Sequence, residues 1–208
     1  MIFWILTDIL KMIMLRRCKL CMKNIKDIAL NIIKDKYTKD FQYSLGEDVF
    51  EHCSRTCDIA LQIAEVYGFN LQQKIDLAVG ALLHDIGKSY VNQDVLNKAK
   101  KLTQDDRTLI ECHPQYGFWV LKQLDFNRTV VDIVYHHHER LDGSGYPQKL
   151  RGHKIDILTQ IVSVADVYEA LTADRVYHKK RSKEEALKIM KSDKGLNQVA
   201  VDILTECC

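Results

Sequence analysis

Apolar residues recur at every third or fourth position along most of this chain, which is the spacing of helices with one buried face. The region 72–86 is apolar on more than one side, so we expect its helix to be central. The first predicted helix has an apolar face formed by Ile25, Ile28, Ala29, Ile32 and Ile33. The predicted helices are 25–33, 49–67 before Gly68, 72–86, about 109–112 after an N-cap at Thr103, one from Pro114, 129–138, 156–171 and one capped by Ser182 and Glu185.

Turn-forming residues are scarce, with nine glycines and two prolines in 208 residues. This composition favours long helices over a many-stranded sheet. The chain contains no internal repeat and no linker that would divide its body. The sequence therefore predicts a single all-α domain over residues 43–208, preceded by a short helical extension over residues 1–42.

The first 15 residues are strongly apolar and are followed by two arginines. A secretory signal carries its positive charge before the apolar run, and a membrane span needs about 20 apolar residues without interior charges. Three interpretations remain open: a helix on a membrane surface, a helix packed on the body or on a partner, or translated sequence upstream of a true start near Met22. We favour the last, so we do not expect membrane contact through residues 1–15.

Charge and cysteine content narrow the function classes further. The 30 basic and 28 acidic residues give a formal net charge of +2, so no broad cationic field favours binding to nucleic acid. The seven cysteines are an odd number without a clear secretory signal, which favours reduced thiols in the cytoplasm.

The segment around His84 and Asp85 is the first candidate for chemistry. An imidazole and a carboxylate side by side at the polar end of a buried helix suit manganese, iron, zinc or a similar ion, and a carboxylate can bridge two ions. Lys88 shares their face if the helical turn continues, where its ammonium would suit an anionic substrate group such as phosphate. The competing interpretation is a surface His–Asp pair at a helix end.

Further candidates lie elsewhere in the chain. The adjacent His137 and His138 can point at two neighbouring ions, whereas His136 diverges from His138 by about 200° on a helix and is left out. Asp166 lies in an apolar helical stretch, where an unpaired carboxylate would be costly. His52 and His113, taken singly, fit a core histidine and a helix cap. The candidates together supply enough ligands for two ions: His52, His84, Asp85, His113, His137, His138 and Asp166.

These motifs resemble the HD-GYP subfamily of HD-domain phosphohydrolases. The resemblance covers about residues 43–205 and implies an HD-domain helical bundle. The motifs that carry it are His84-Asp85-Ile86-Gly87-Lys88, His113-Pro114 with Gly117, the string from His137 to Pro147, and Val164 to Tyr177.

The resemblance implies hydrolysis of cyclic di-GMP to the linear dinucleotide pGpG, and in some members to GMP, by a hydroxide between two ions of iron or manganese. Some relatives act on the 3′,3′ cyclic GMP-AMP dinucleotide. It also implies that Asp85 bridges the ions and that Asp48 could hold a third. The metal ligands carried over from the family are His52, His84, Asp85, His113, His137, His138 and Asp166.

For the substrate side, Asp85 and Lys88 are the expected catalytic residues, and Lys88 and Arg175 are expected to bind phosphate. Tyr146 and Gly145 are expected to contact substrate, or the Gly143–Pro147 loop could receive a signalling partner or be a plain turn. Two other functions stay open: a different HD phosphohydrolase acting on nucleotides or phosphate esters, and a module that binds the dinucleotide without cutting it.

Overall fold

The computed structural model describes residues 20–37, 45–98, 100–173 and 180–207, except for the side chain of residue 207. The apolar residues 1–15 and Arg175 lie outside these ranges. The regular elements of the described residues are all helical, which confirms the all-α prediction. The α-helices are α1 (20–36), α2 (Glu47–Tyr67), α3 (Leu71–Leu83), α4 (Gln93–Leu96), α5 (Gln104–Ile110), α6 (His113–Gln123), α7 (Arg128–His136), α8 (Ile157–Thr172), α9 (Lys183–Ser192) and α10 (Gln198–Cys207), with 3₁₀ turns at Ile86–Tyr90 and Gly152–Lys154.

The predicted capping residues begin and end the helices as expected. Thr103 caps α5 in a capping box with Asp106, and Ser182 caps α9 in a capping box with Glu185. Gly68 ends α2 in the left-handed conformation, with φ 70°, which glycine adopts without steric cost. All three predictions are confirmed, and each depends only on residues that are close together in the sequence.

Several predicted helix bounds differ from the structure; the helix predicted at about 109–112, for example, spans Gln104–Ile110. The helix predicted over 72–86 ends at Leu83, and a 3₁₀ turn follows at Ile86–Tyr90. In this turn the backbone of Gly87 packs directly on α6, so a tertiary contact overrides the local helical pattern. The helix predicted over 129–138 is also shorter, with its last residue at His136.

Helices α2, α3, α7 and α8 form the centre of the bundle. Residues 77–83 of α3 are all buried, as expected of a central helix. Helix α1 packs on this core through Ile25, Ala29 and Ile33, but Ile28 is 40% exposed, so its predicted place on the buried face is wrong. Of the helices described here, none has the length and apolar character needed to cross a bilayer.

Candidate metal centre

Histidines and aspartates from distant parts of the chain meet in the interior. The structure forms two groups around one shared residue, Asp85, and within each group the candidate ligand atoms lie within 4.8 Å of one another. We call the first half-site His52, His84 and Asp85, with Asp166 beside them, and the second half-site Asp85, His113, His137 and His138.

Most of these side chains belong to residues at the ends of helices. His84 is the C-cap of α3 and Asp85 follows it, while His113 is the first residue of α6. His137 is the C-cap of α7. The remaining residues come from within helices, His52 from α2 and Asp166 from α8. The centre therefore lies where three helix ends meet the sides of two long helices.

Three of the imidazoles are oriented by backbone carbonyls of their own chain segments. In each, Nδ1 lies within hydrogen-bonding distance of the backbone carbonyl three residues earlier. A carbonyl can only accept, so Nδ1 donates and Nε2 keeps a lone pair that can bind a metal. The pairs are His84 with Ala81 at 2.8 Å, His113 with Ile110 at 2.7 Å, and His137 with Val134 at 2.9 Å.

Pairs of imidazole nitrogens in the centre lie so close together that a cation between them would stabilise the arrangement. Nε2 of His52 lies 3.2 Å from Nε2 of His84, and Nε2 of His113 lies 3.2 Å from Nε2 of His137. Two nitrogen lone pairs at this distance repel unless a proton or a metal ion lies between them. In addition, the buried Oδ1 of Asp85 makes no hydrogen bond with the described residues, although Nε2 of His113 is only 3.2 Å away. This set of imidazole and carboxylate donors fits a divalent transition metal.

Both carboxylates of the centre stay ionised. Burial raises the pKa of Asp85, but the ammonium of Lys88 and the imidazole of His84 outweigh it and hold that pKa well below its usual range. The pKa of Asp166 is likewise held well below its usual range, because the hydrogen bond from His52 outweighs burial. Both carboxylates are therefore available as charged oxygen donors to an entering cation.

The two half-sites differ in the pKa values of their histidines. Burial lowers the pKa of His52, but hydrogen bonds with Asp166 and Glu169 outweigh it and raise the pKa to about 9. The pKa of His84 is also raised to about 9, since its neighbours Cys53 and Asp85 outweigh burial. In the second half-site, burial lowers the pKa of His138 to about 3. Burial also holds the pKa of His137 well below its usual range. The second half-site thus offers neutral imidazoles at His137 and His138, whereas an ion entering the first must displace a proton.

Glu169 is a site residue that the sequence analysis does not identify. Its carboxylate accepts hydrogen bonds from Nδ1 of His52 and, at 2.7 Å, from Nε of Arg55. Glu169 is only 2% exposed and lies three residues after Asp166, on the same side of α8. A second carboxylate at this spacing in an apolar helix is the signal that could have revealed it.

Glu139 is a second buried carboxylate that the sequence analysis does not identify. It organises the loop that follows His137 and His138. Its buried carboxylate accepts hydrogen bonds from the backbone N–H of Gln148 at 2.6 Å and of Leu150 at 2.9 Å. The loop 139–150 is therefore closed around one internal anion. An acidic residue directly after two histidines is the only hint that the sequence offers.

Tyr146 and Gly145 lie beside the second half-site, whereas Lys88 contacts the oxygen of Asp85 that faces the first half-site. Nζ of Lys88 lies 2.6 Å from Oδ2 of Asp85, and the ring of Tyr146 stacks on that of His138, with 4.7 Å between centroids. Gly145 is buried, and a Cβ there would lie 2.4 Å from the carbonyl oxygen of His138. The missing side chain of Gly145 therefore serves loop packing, while substrate binding by these residues stays a prediction.

Two other predicted residues stand apart. Asp48 is exposed in the first turn of α2 and is not part of the two half-sites among the described residues, so a third ion stays a prediction. Arg175 is outside the described residues. It comes nine residues after Asp166, and an unbroken helix would place it on the opposite side, so its expected role requires the helix to end near Thr172, where α8 does end.

Comparisons with known proteins agree with this geometry. The HD domain family matches residues 39–199. The chain is 36% identical over 164 residues to the cyclic di-GMP phosphodiesterase PA4108 of Pseudomonas aeruginosa, covering 77% of this chain and 37% of that protein. It is 33% identical over 144 residues to 3'3'-cGAMP-specific phosphodiesterase 1 of Vibrio cholerae, covering 69% of this chain and 33% of that protein. The chain thus spans about a third of the length of these curated relatives.

The fold also resembles that of Bd1817, a HDG"Y"P protein from Bdellovibrio bacteriovorus. The TM-score is 0.67 at 21% identity, covering 91% of this chain and 63% of that chain; at this identity the likeness shows the fold alone. The sequence match spans the whole histidine and aspartate centre, from His52 to Asp166. On these grounds the chain belongs to the HD-domain family, as a member of the HD-GYP type.

Proposed function

We propose that this chain is a metal-dependent phosphodiesterase that hydrolyses cyclic di-GMP to pGpG, with GMP as the product of further hydrolysis. The observation that carries the proposal is the place of Asp85, whose two carboxylate oxygens face two separate groups of imidazoles. Such an arrangement suits two adjacent cations acting on one phosphodiester. The relatives named as cyclic di-GMP and cGAMP phosphodiesterases support this substrate class.

Two divalent ions, iron or manganese, are the proposed cofactors, one in each half-site. When bound, they would neutralise a phosphodiester and make a water molecule acidic enough to supply the nucleophile. The ligand set proposed from the motifs is His52, His84, Asp85, His113, His137, His138 and Asp166. The same proposal includes a third ion, held by Asp48.

The other residues act on the substrate. Lys88 would bind a non-bridging phosphate oxygen, because its ammonium lies at the shared carboxylate and retains 24% of its side-chain exposure. Arg175 would bind phosphate with its planar fork of donors. Tyr146 offers a flat face beside His138, and with Gly145 it would form one wall of the substrate site.

The proposal also covers the cellular compartment and a protein partner. The four cysteines whose side chains the structure describes in full are all free, which suits a reducing compartment such as the cytoplasm. The loop from Gly143 to Pro147 has exposed residues at Ser144 and Pro147, and it is the proposed surface for a signalling partner.

The decisive experiment uses protein purified without oxygen and loaded with Fe²⁺ or Mn²⁺. We expect cleavage of cyclic di-GMP or 3′,3′ cyclic GMP-AMP, no cleavage of GTP or a chromogenic monoester, and loss of metal and turnover in Asp85→Ala. Binding of the dinucleotide without cleavage by metal-replete protein would instead identify a binding module. Cleavage of GTP or the monoester alone would identify a different HD phosphohydrolase.

A further inference from the structure

His52 differs from the other oriented imidazoles of the centre. Whereas His84, His113 and His137 each hydrogen-bond to a carbonyl of their own chain segment, Nδ1 of His52 bonds to the carboxylate of Glu169. His52 lies on α2 and Glu169 on α8. The orientation of this one ligand therefore depends on a side-chain contact between two helices.

Arg55 holds the other oxygen of the same carboxylate. Its Nε donates to Oε1 of Glu169 at 2.7 Å, and its Nη1 donates to Oε2 of Glu51 at 3.1 Å. The side chain of Arg55 is 48% exposed and that of Glu169 is 2% exposed. A carboxylate buried this deeply needs a compensating positive charge, and Arg55 supplies one from the protein surface.

From these contacts we infer that Glu169 and Arg55 are positioning residues for the first half-site. Glu169 keeps the proton of His52 on Nδ1, which leaves the Nε2 lone pair for a metal ion, and it makes the imidazole a stronger donor. Arg55 holds Glu169 in the orientation that this contact needs. The inference rests on the proposed function only in taking each half-site to bind one divalent ion.

The two half-sites should then respond differently to substitution. Removing the charge of Glu169 disturbs the tautomer and the angle of His52, and hence the first half-site. His113 and His137 keep their backbone acceptors in any such variant, so the second half-site keeps its ligand geometry. Loss of metal confined to one half-site is an effect that a general loss of stability would not produce.

The test measures metal stoichiometry by elemental analysis after equilibration of the full chain at a series of free Mn²⁺ concentrations. In wild type we expect two ions. In Glu169→Gln we expect one ion to be retained and the affinity for the other to fall about 10- to 100-fold. Arg55→Ala should shift the same step less, and Arg55→Lys should restore part of it. Glu51→Gln, which removes only the exposed partner of Arg55, is the matched control and should bind both ions as wild type does.

Equal weakening of both ions, or no weakening in Glu169→Gln and Arg55→Ala, would overturn the inference. Circular dichroism shows whether each variant is folded; if Glu169→Gln is not, Arg55→Ala decides, because its side chain is half exposed. Hydrolysis is measured separately on the wild type. Wild type that binds two ions but leaves every cyclic dinucleotide intact would refute the proposed function and leave this inference to be judged on stoichiometry alone.

Discussion

The ammonium of Lys88 lies 2.6 Å from Oδ2 of Asp85, the carboxylate that belongs to both half-sites. Burial lowers the pKa of Lys88, but the carboxylate of Asp85 outweighs it and raises that pKa, so the lysine stays charged. A cation held at this position without being a metal ligand is well placed to meet an anionic substrate. It would also reduce the charge that Asp85 offers to the ions.

Replacing Lys88 should therefore separate metal binding from catalysis. In Lys88→Ala we expect both ions to remain and turnover of cyclic di-GMP to fall by roughly 10²–10³, which is the usual effect of losing one donor to transition-state charge. Steady-state kinetics and elemental analysis on the same sample measure both quantities. Lys191→Ala, at a surface pair with Asp202, is the control. Loss of metal in Lys88→Ala would contradict the role given to this residue.

Gly87 sets the distance between the turn that follows Asp85 and helix α6. A Cβ at this position would lie 1.9 Å from the carbonyl oxygen of His113 and 2.6 Å from the backbone nitrogen of Gly117, and neither backbone atom can move aside cheaply. We expect Gly87→Ala to lower the free energy of unfolding by about 1–3 kcal/mol or more and to reduce metal content.

Thermal unfolding and elemental analysis check this prediction. The comparison variant is Ser89→Ala, which lies in the same 3₁₀ turn and removes only a hydrogen bond from its hydroxyl to the carbonyl of Ile86. Ser89→Ala should retain both ions. A Gly87→Ala protein with wild-type stability and metal content would show that the close contact is not needed.

Glu139 should control the loop that carries Tyr146. In Glu139→Gln one of the two backbone N–H groups, of Gln148 or Leu150, faces an amide NH₂ and loses its acceptor. We expect a loss of about 1–3 kcal/mol in the free energy of unfolding, the usual cost of an unsatisfied buried group, and a higher KM for the dinucleotide. Hydrogen exchange at the two amides measures the loosening directly. Unchanged exchange at both would refute the idea that this anion closes the loop.

Asp106 gives the protein a defined response to acid. Hydrogen bonds from Lys98 and from the backbone of Thr103 lower its pKa from 3.8 to about 2. The folded state therefore binds this proton more weakly than the unfolded state, and the stability from Asp106 is complete above pH 3.8 and disappears as the pH falls to about 2. We expect Asp106→Asn to be less stable than wild type at neutral pH, with the difference shrinking across that interval. Denaturant unfolding of both proteins against pH measures it, and a constant difference would contradict the assignment.

Local sequence signals were sufficient for most of the helices, whereas the set of metal ligands came from these signals together with the family resemblance and stays a proposal. Thr103, Ser182 and Gly68 mark helix ends through neighbours that lie within a few residues, and Asp166 stands out as a carboxylate in an apolar helix. Glu169 carries the same signal, but its partner His52 is 117 residues away in the chain, and periodicity does not show which distant helix a side chain faces. The early end of α3 has the same kind of cause, because the contact of Gly87 with α6 is tertiary.

The hydrogen bonds from His84, His113 and His137 to carbonyls of their own segments affect how the sequence around such a metal centre can change during evolution. A carbonyl of the main chain is present whatever amino acid occupies the position, so Ala81, Ile110 and Val134 can be exchanged for other residues during evolution without re-aiming the rings. Core residues around the centre can therefore be replaced while the imidazole nitrogens keep their positions, provided that the helices keep their register.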